Sequence, residues 1–208
     1  MSILPMAILQ RLTKCRHYKV WASLTTLLLL GLIACSGGSD NPSPQPNPIP
    51  TIKYASNLVY TDPGGSGYRL LRGTSSTTGK LVLELRGPAS DSGTGINFGI
   101  QTGTPRVSFV KVSDSDVEFV QSSVFQLGNT EPRLIKSVAD SGVLRVSIAQ
   151  KGQANARPLG NVLARMAVQL GYAETGTNIL LKAIDAEIML ADGTFKPIEV
   201  AVGELIAE

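Results

Sequence analysis

The chain has 208 residues with 19 basic and 16 acidic side chains, a formal net charge of +3. The excess is local: Arg11, Lys14, Arg16 and Lys19 lie in the first 34 residues, which hold no Asp or Glu, so the remainder carries 15 basic and 16 acidic residues. A balanced remainder offers no basic face, so no nucleic-acid partner is expected.

The first element in chain order has the pattern of an export signal: a basic stretch from Arg11 to Lys19, then an apolar run from Val20 to Ala34 with Leu27 to Leu30 at its centre. The run is about 15 residues long, short of the roughly 20 that a helix needs to span a bilayer. It ends Leu32-Ile33-Ala34-Cys35. This end resembles the bacterial lipoprotein box: an aliphatic residue, a tolerant position, a small residue, then Cys. The resemblance implies that the chain is cut before Cys35 and that the Cys35 thiol and the new amine are both acylated. Several acyl chains anchor stably where one binds only marginally. The expected partner at this end is therefore a membrane, reached through lipid. Residues 36–50 read SGGSDNPSPQPNPIP. That composition buries no apolar area and predicts a solvated, semi-stiff tether. By resemblance to Gram-negative lipoproteins, Ser36 in place of Asp after the Cys implies sorting to the outer membrane, with either face compatible.

Cleavage before Cys35 would also remove chemistry. His17 and Trp21 are the only His and Trp, and Cys15 is the only other Cys. The mature chain would then hold no His, no Trp and a single Cys. Intramolecular disulfides, His-based general-base catalysis, thiolate or imidazole zinc sites and haem attachment are excluded on that reading. No cofactor and no catalytic residue is expected.

Residues 51–208 are long enough to bury a sizeable core. Alternation with a period of two dominates them. Leu81, Leu83 and Leu85 alternate with Val82 and Glu84, and Ile96, Phe98 and Ile100 with Asn97 and Gly99. Leu144, Val146 and Ile148 alternate with Arg145 and Ser147; a longer run spans Val162 to Leu170; Ile198, Val200 and Val202 follow. Turn signals separate the runs at Asp62-Pro63-Gly64-Gly65, Ser92-Gly93-Thr94-Gly95, Ser141-Gly142, Lys151-Gly152 and Asp192-Gly193. Asp192-Gly193 predicts a hairpin from a strand around Asp185–Leu190 to the last strand. A single helical turn over Gln153–Arg157, ended by Pro158, is compatible with the pattern. Val107 to Val112 is apolar on both faces, which predicts a central buried strand. The fold class expected is all-β: an antiparallel sandwich of jelly-roll type with about eight or nine strands. The organisation expected is a signal over 1–34, a lipidated Cys and tether over 35–50, and the sandwich over 51–208.

From Gly142 onward the strands resemble a cohesin-type module, a sandwich related to carbohydrate-binding modules. The resemblance rests on Gly142-Val143-Leu144-Arg145-Val146-Ser147-Ile148, on Gly160-Asn161-Val162-Leu163-Ala164, on Gly176-Thr177-Asn178-Ile179, and on Asp185 to Ile188 followed by Asp192-Gly193 and Val202-Gly203-Glu204-Leu205. It implies a non-catalytic docking module with an envelope protein as partner. No contact residue transfers through it, so the residues that bind are left unassigned.

Four groups offer other chemistry. Asp114, Asp116 and Glu118 form the densest acidic cluster. They have the residue types of a calcium site, but the EF-hand pattern is missing, and a solvated edge or turn is the simpler reading. Asp185 and Glu187, two apart on a strand, would share a face about 6.6 Å apart, within the range of a glycosidase pair. Without a Trp beside them, an enzyme is not the expectation. Tyr54, Tyr60 and Tyr68 are candidates for stacking on a sugar, which makes glycan or cell-wall binding the alternative function; Phe98, Phe109, Phe119 and Phe125 read as core. Arg69, Arg72 and Arg86 read as scattered solvated side chains. The leading expectation is a lipid-anchored envelope protein that presents a binding module within a secretion or surface assembly.

Overall fold

The computed structural model describes residues 47, 50–103, 105–121, 133–150 and 155–208. Cys35, Phe125, Lys151-Gly152 and the first two residues of the expected helical turn, Gln153 and Ala154, lie outside them. Among the described residues there are sixteen strands and no helix. The chain runs β1 (Leu58–Thr61), β2 (Tyr68–Arg72), β3 (Lys80–Arg86), β4 (Ser92–Gly93), β5 (Gly95–Thr102), β6 (Val107–Val110) and β7 (Val120–Gln121). It continues with β8 (Arg133–Asp140), β9 (Val143–Gln150), β10 (Arg157–Pro158), β11 (Val162–Leu170), β12 (Thr177–Ile179), β13 (Leu181–Met189), β14 (Phe195–Pro197), β15 (Val200–Ala201) and β16 (Glu204–Ala207).

Two sheets make the sandwich. One has the order β15-β2-β3-β11-β6, with β7 also on β11; the other has the order β14-β13-β5-β9-β8. A three-stranded sheet, β1-β16-β12, and a two-residue ladder between β4 and β10 complete it. Every pairing is antiparallel except β15 with β2.

Register turns the alternation into a core. On the larger sheet Leu81, Leu83 and Leu85 stand opposite Val168, Met166 and Ala164. On the five-stranded sheet Ile96, Phe98 and Ile100 stand opposite Ile148, Val146 and Leu144. All of these belong to one buried cluster. Each such side chain removed from water contributes about 1.5–3 kcal/mol, and a slip of one residue would turn the whole row out to solvent.

The turn chemistry holds at two of the expected reversals. Ser141 (φ 49°) and Gly142 (φ 79°) close β8 onto β9 in a two-residue hairpin. At the other, Gly193 has φ 82° and Asp192 Oδ1 accepts from Thr194 N at 2.9 Å. That hairpin joins β13 to β14, not to the last strand, because β15 and β16 follow and β16 returns to pair with β1. The run from Ile198 to Val202 shrinks to β15, since only Val200 and Ala201 find partners.

Three further expectations change. Val107 to Val112 is not central: β6 is an edge strand, Val107 and Phe109 are buried, and Ser108 between them is exposed. Ser92 to Gly95 is not a loop but the crossing between sheets, with Thr94 N bonded to Met189 O and Gln150 N to Thr94 O. Arg157 and Pro158 are extended and pair with Gly93 and Ser92.

Candidate functional site

The outer faces of the two sheets differ. On the larger sheet, Val82 and Ala167 are buried yet stand outside the core cluster, because neighbouring segments cover them. Ser76 Oγ donates to Val82 O and accepts from Val82 N, folding the β2–β3 connection over the strand. Lys80 Nζ reaches Val112 O at 2.8 Å. The rest of that face is closed by charge. Glu84, with a side chain 7% exposed, accepts from Arg86 Nη2 and from Arg165 Nε, both at 2.7 Å. Burial by itself would raise the pKa of this carboxyl, but the two guanidiniums outweigh it and hold the value below the ordinary glutamate. Arg69 stands beside Arg86 in the ladder, and its Nε is buried without a partner. Of the arginines read as scattered, Arg86 is therefore not free: it shares one acid with Arg165, and Arg69 stands next to it in the ladder. Arg72 ends β2, exposed, with its N–H on Asp62 Oδ1 at 2.7 Å.

The outer face of the five-stranded sheet is open. Leu134 and Val138 on β8 are 44% and 51% exposed, and Phe195 on β14 is 51% exposed. Between them lie Arg145 and Ser147 of β9, Asn97 and Gln101 of β5, and Lys182 and Glu187 of β13. Two features shape the middle. First, a β-bulge falls between Ile184 and Glu187: Asp185 and Ala186 together face the single residue Phe98, and Asp185 takes φ 50°. Bulges bend a strand and re-aim a side chain; Asp tolerates this left-handed backbone better than most residues. Second, Gly99 is required beside it, since a Cβ there would come within 2.6 Å of Ile184 Cγ1. The result is a shallow hollow of about 220 Å³ on the face, over β5 and β9, and a second of about 330 Å³ at the β13 edge against residues 198–200; Asp185 lines both. Ile198 N donates to Ala186 O at 2.9 Å and ties the bulge to the chain leading into β15.

The bulge also changes the regular strand assumed for Asp185 and Glu187. The extra residue breaks the alternation between them, and Glu187 instead accepts from Asn97 Nδ2 at 2.9 Å. The Asp114 cluster resolves into local bonds. Asp116 accepts from Ser113 N and from Gln121 Nε2, while Glu118 accepts from both Ser137 N and Ser137 Oγ at 2.7 Å. Among the described residues no three His, Cys, Asp or Glu side chains converge as a metal site would need.

The tyrosines divide. Tyr60 and Tyr68 are each 5% exposed and belong to the core, which removes them as sugar-stacking candidates. The Tyr60 hydroxyl donates to Leu70 O and accepts from Gly203 N, both at 2.7 Å, and burial pushes its pKa up to about 12. Burial and the Asp91 carboxylate also raise Tyr68, whose hydroxyl donates to Asp91 Oδ2. Tyr54 remains exposed and meets Tyr172, a pairing across 118 residues that no local pattern signals. Phe98 and Phe109 are core as expected, and Phe119 packs against it.

No protein-family profile and no curated protein matches this chain. Solved structures do. The second type II cohesin module of an adaptor scaffoldin from Acetivibrio cellulolyticus matches with a TM-score of 0.53 at 9% identity, over 69% of this chain and 90% of that one. A type II cohesin from the same organism, in a cohesin–X–dockerin complex, matches with a TM-score of 0.52 at 11% identity, over 66% and 95%. A type II cohesin domain from its cellulosome matches with a TM-score of 0.50 at 14% identity, over 69% and 95%. The fold is thus an all-β sandwich of the cohesin type. The likeness takes in more of the chain than the part from Gly142 onward that carries it in the sequence.

Proposed function

We propose that this chain is a lipid-anchored envelope protein whose sandwich is a non-catalytic docking module for a protein partner in a secretion or surface assembly. The observation that carries the docking reading is the open face of the five-stranded sheet, where Leu134, Val138 and Phe195 are exposed around a polar, hollowed centre. Four strands of eight or nine residues with the three-residue β14 at one edge, about 4.8 Å apart, span at most roughly 24 by 27 Å, on the order of the ~800 Å² that each partner buries in a standard interface. One cohesin of like fold was captured with a dockerin, which supports a protein as the occupant. The lipoprotein-like Cys35 and the tether behind it support placement at the outer membrane. Holding a module near a membrane raises its effective concentration for membrane-bound partners.

The test uses the full chain, crosslinked in solubilised envelope and recovered by a C-terminal tag. A specific protein recovered with the natural chain should be lost with Val138→Arg. It should be kept with Gln169→Arg, an exposed position on the other sheet. Equal recovery with Val138→Arg would rule out docking on this face.

A further inference from the structure

We infer that Tyr54, Tyr172 and the cleft beside them form a carbohydrate-binding site that holds one pyranose ring of a glycan. The site lies away from the open sheet face, in the segment before β1 and in the connection from β11 to β12. Tyr54 and Tyr172 are 48% and 64% exposed, their ring centroids are 4.7 Å apart, and their planes meet at 43°. The Tyr172 hydroxyl donates to the Tyr54 hydroxyl at 2.5 Å. That bond is the main cause of a raised Tyr172 pKa. Exposed rings held against each other form a platform that loses little rotamer freedom when a ligand lands on it.

Backbone bonds fix the platform. Ala55 N donates to Ala173 O and Thr175 N to Lys53 O, each at 2.9 Å, so the two tyrosine-bearing segments are laced together. Gly171 N donates to Arg106 O at 2.7 Å. A side chain at Gly171 would overlap Pro105 O, so this glycine lets the loop before β6 close against the β11–β12 connection. The approach brings Arg106 to the tyrosine and leaves a cleft of about 270 Å³, lined by Arg106, Tyr172, Ala173, Glu174 and Thr177.

The chemistry of that lining fits a sugar. A pyranose has an apolar face of C–H groups and a rim of hydroxyls that both donate and accept. The Tyr172 ring offers an apolar body with a polar tip. Arg106 donates only, Glu174 accepts only, and Thr177 does both. Arg106 is steadied by a long bond from Nη1 to Asn178 O at 3.4 Å. A few convergent polar groups on an aromatic wall make a small-molecule site, and about 270 Å³ lies just under the usual ~300–1,000 Å³, the size for a single ring.

The site is independent of the docking reading, and its test separates the two. The full chain, in a detergent without a sugar headgroup, is run through native gels containing soluble β-glucan, xylan, mannan, galactan or chitosan, and over a chitin matrix. Retardation or retention by at least one of these probes is expected. Tyr172→Ala should weaken it at least tenfold and Glu174→Gln severalfold. Tyr172→Phe should hold within about threefold, because the stacking face survives, and Val138→Arg should change nothing. Thermal unfolding of each variant separates loss of a site from loss of fold. Failure to bind any of the probes would overturn the proposal, as would natural binding by a folded Tyr172→Ala or a folded Glu174→Gln.

Discussion

Replacing Glu84 with glutamine probes the charge cluster that closes the outer face of the larger sheet. The carboxylate, 7% exposed, takes Arg165 Nε on one oxygen and Arg86 Nη2 on the other, both at 2.7 Å. Glutamine keeps one acceptor and presents an amide N–H₂ to the second guanidinium, so one charge-assisted bond is lost and two donors face each other. Such a bond contributes about 1.5–3 kcal/mol. The arginine side chains are 44% and 34% exposed and recover part of this from water. A net loss of about 2 kcal/mol at pH 7 follows, or roughly 4–8 °C in Tm for a domain of this size. The pH dependence has a definite sign. A folded-state pKa held below the ordinary value means that the native state binds the proton less readily than the unfolded chain. The stabilisation is complete above the unfolded glutamate pKa and is lost as pH falls through the lower, folded value. The gap between the natural chain and Glu84→Gln should therefore be widest near neutrality and close on acidification. Urea unfolding followed by far-ultraviolet circular dichroism at about pH 7 and about pH 3 measures it. A gap below about 0.5 kcal/mol at neutral pH, or one that does not shrink in acid, would refute the reasoning.

Two further outcomes are expected. Tyr60→Phe removes the hydroxyl that joins Leu70 O to Gly203 N, leaving a buried acceptor and an N–H unpaired at a cost of about 1–3 kcal/mol. Hydrogen exchange should quicken at the Gly203 amide beyond the change in global stability, and an unchanged rate there would count against the bond. Cys35→Ser should move the protein from the membrane to the soluble fraction on cell fractionation and abolish labelling with a palmitate analogue; membrane retention without label would point to another anchor.

Much of the sandwich was legible in the chain because a strand writes its two faces into adjacent residues. Leu81, Leu83 and Leu85, and Ile96, Phe98 and Ile100, needed only the period of two to be assigned inward. Ser141-Gly142 and Asp192-Gly193 announced hairpins because their backbone angles are a local property. The leader, the tether and Cys35 rest on sequence pattern alone, which is why the Cys35→Ser experiment is needed.

What the sequence did not carry is partnership across the fold. Tyr60 and Tyr68 look no different in sequence from Tyr54, yet two are core and one is exposed; strand pairing decides that. Glu84 reads as an ordinary outward residue between two leucines, and its partner Arg165 lies 81 residues away. The bulge at Asp185 is invisible in the run Leu181–Met189, because the extra residue exists only relative to the unbroken strand β5 beside it. Periodicity and turn chemistry are short-range and determine that these segments become strands and where they reverse. Which strands meet, which face stays open and which side chains converge are set by long-range packing, so only the tertiary structure decided them.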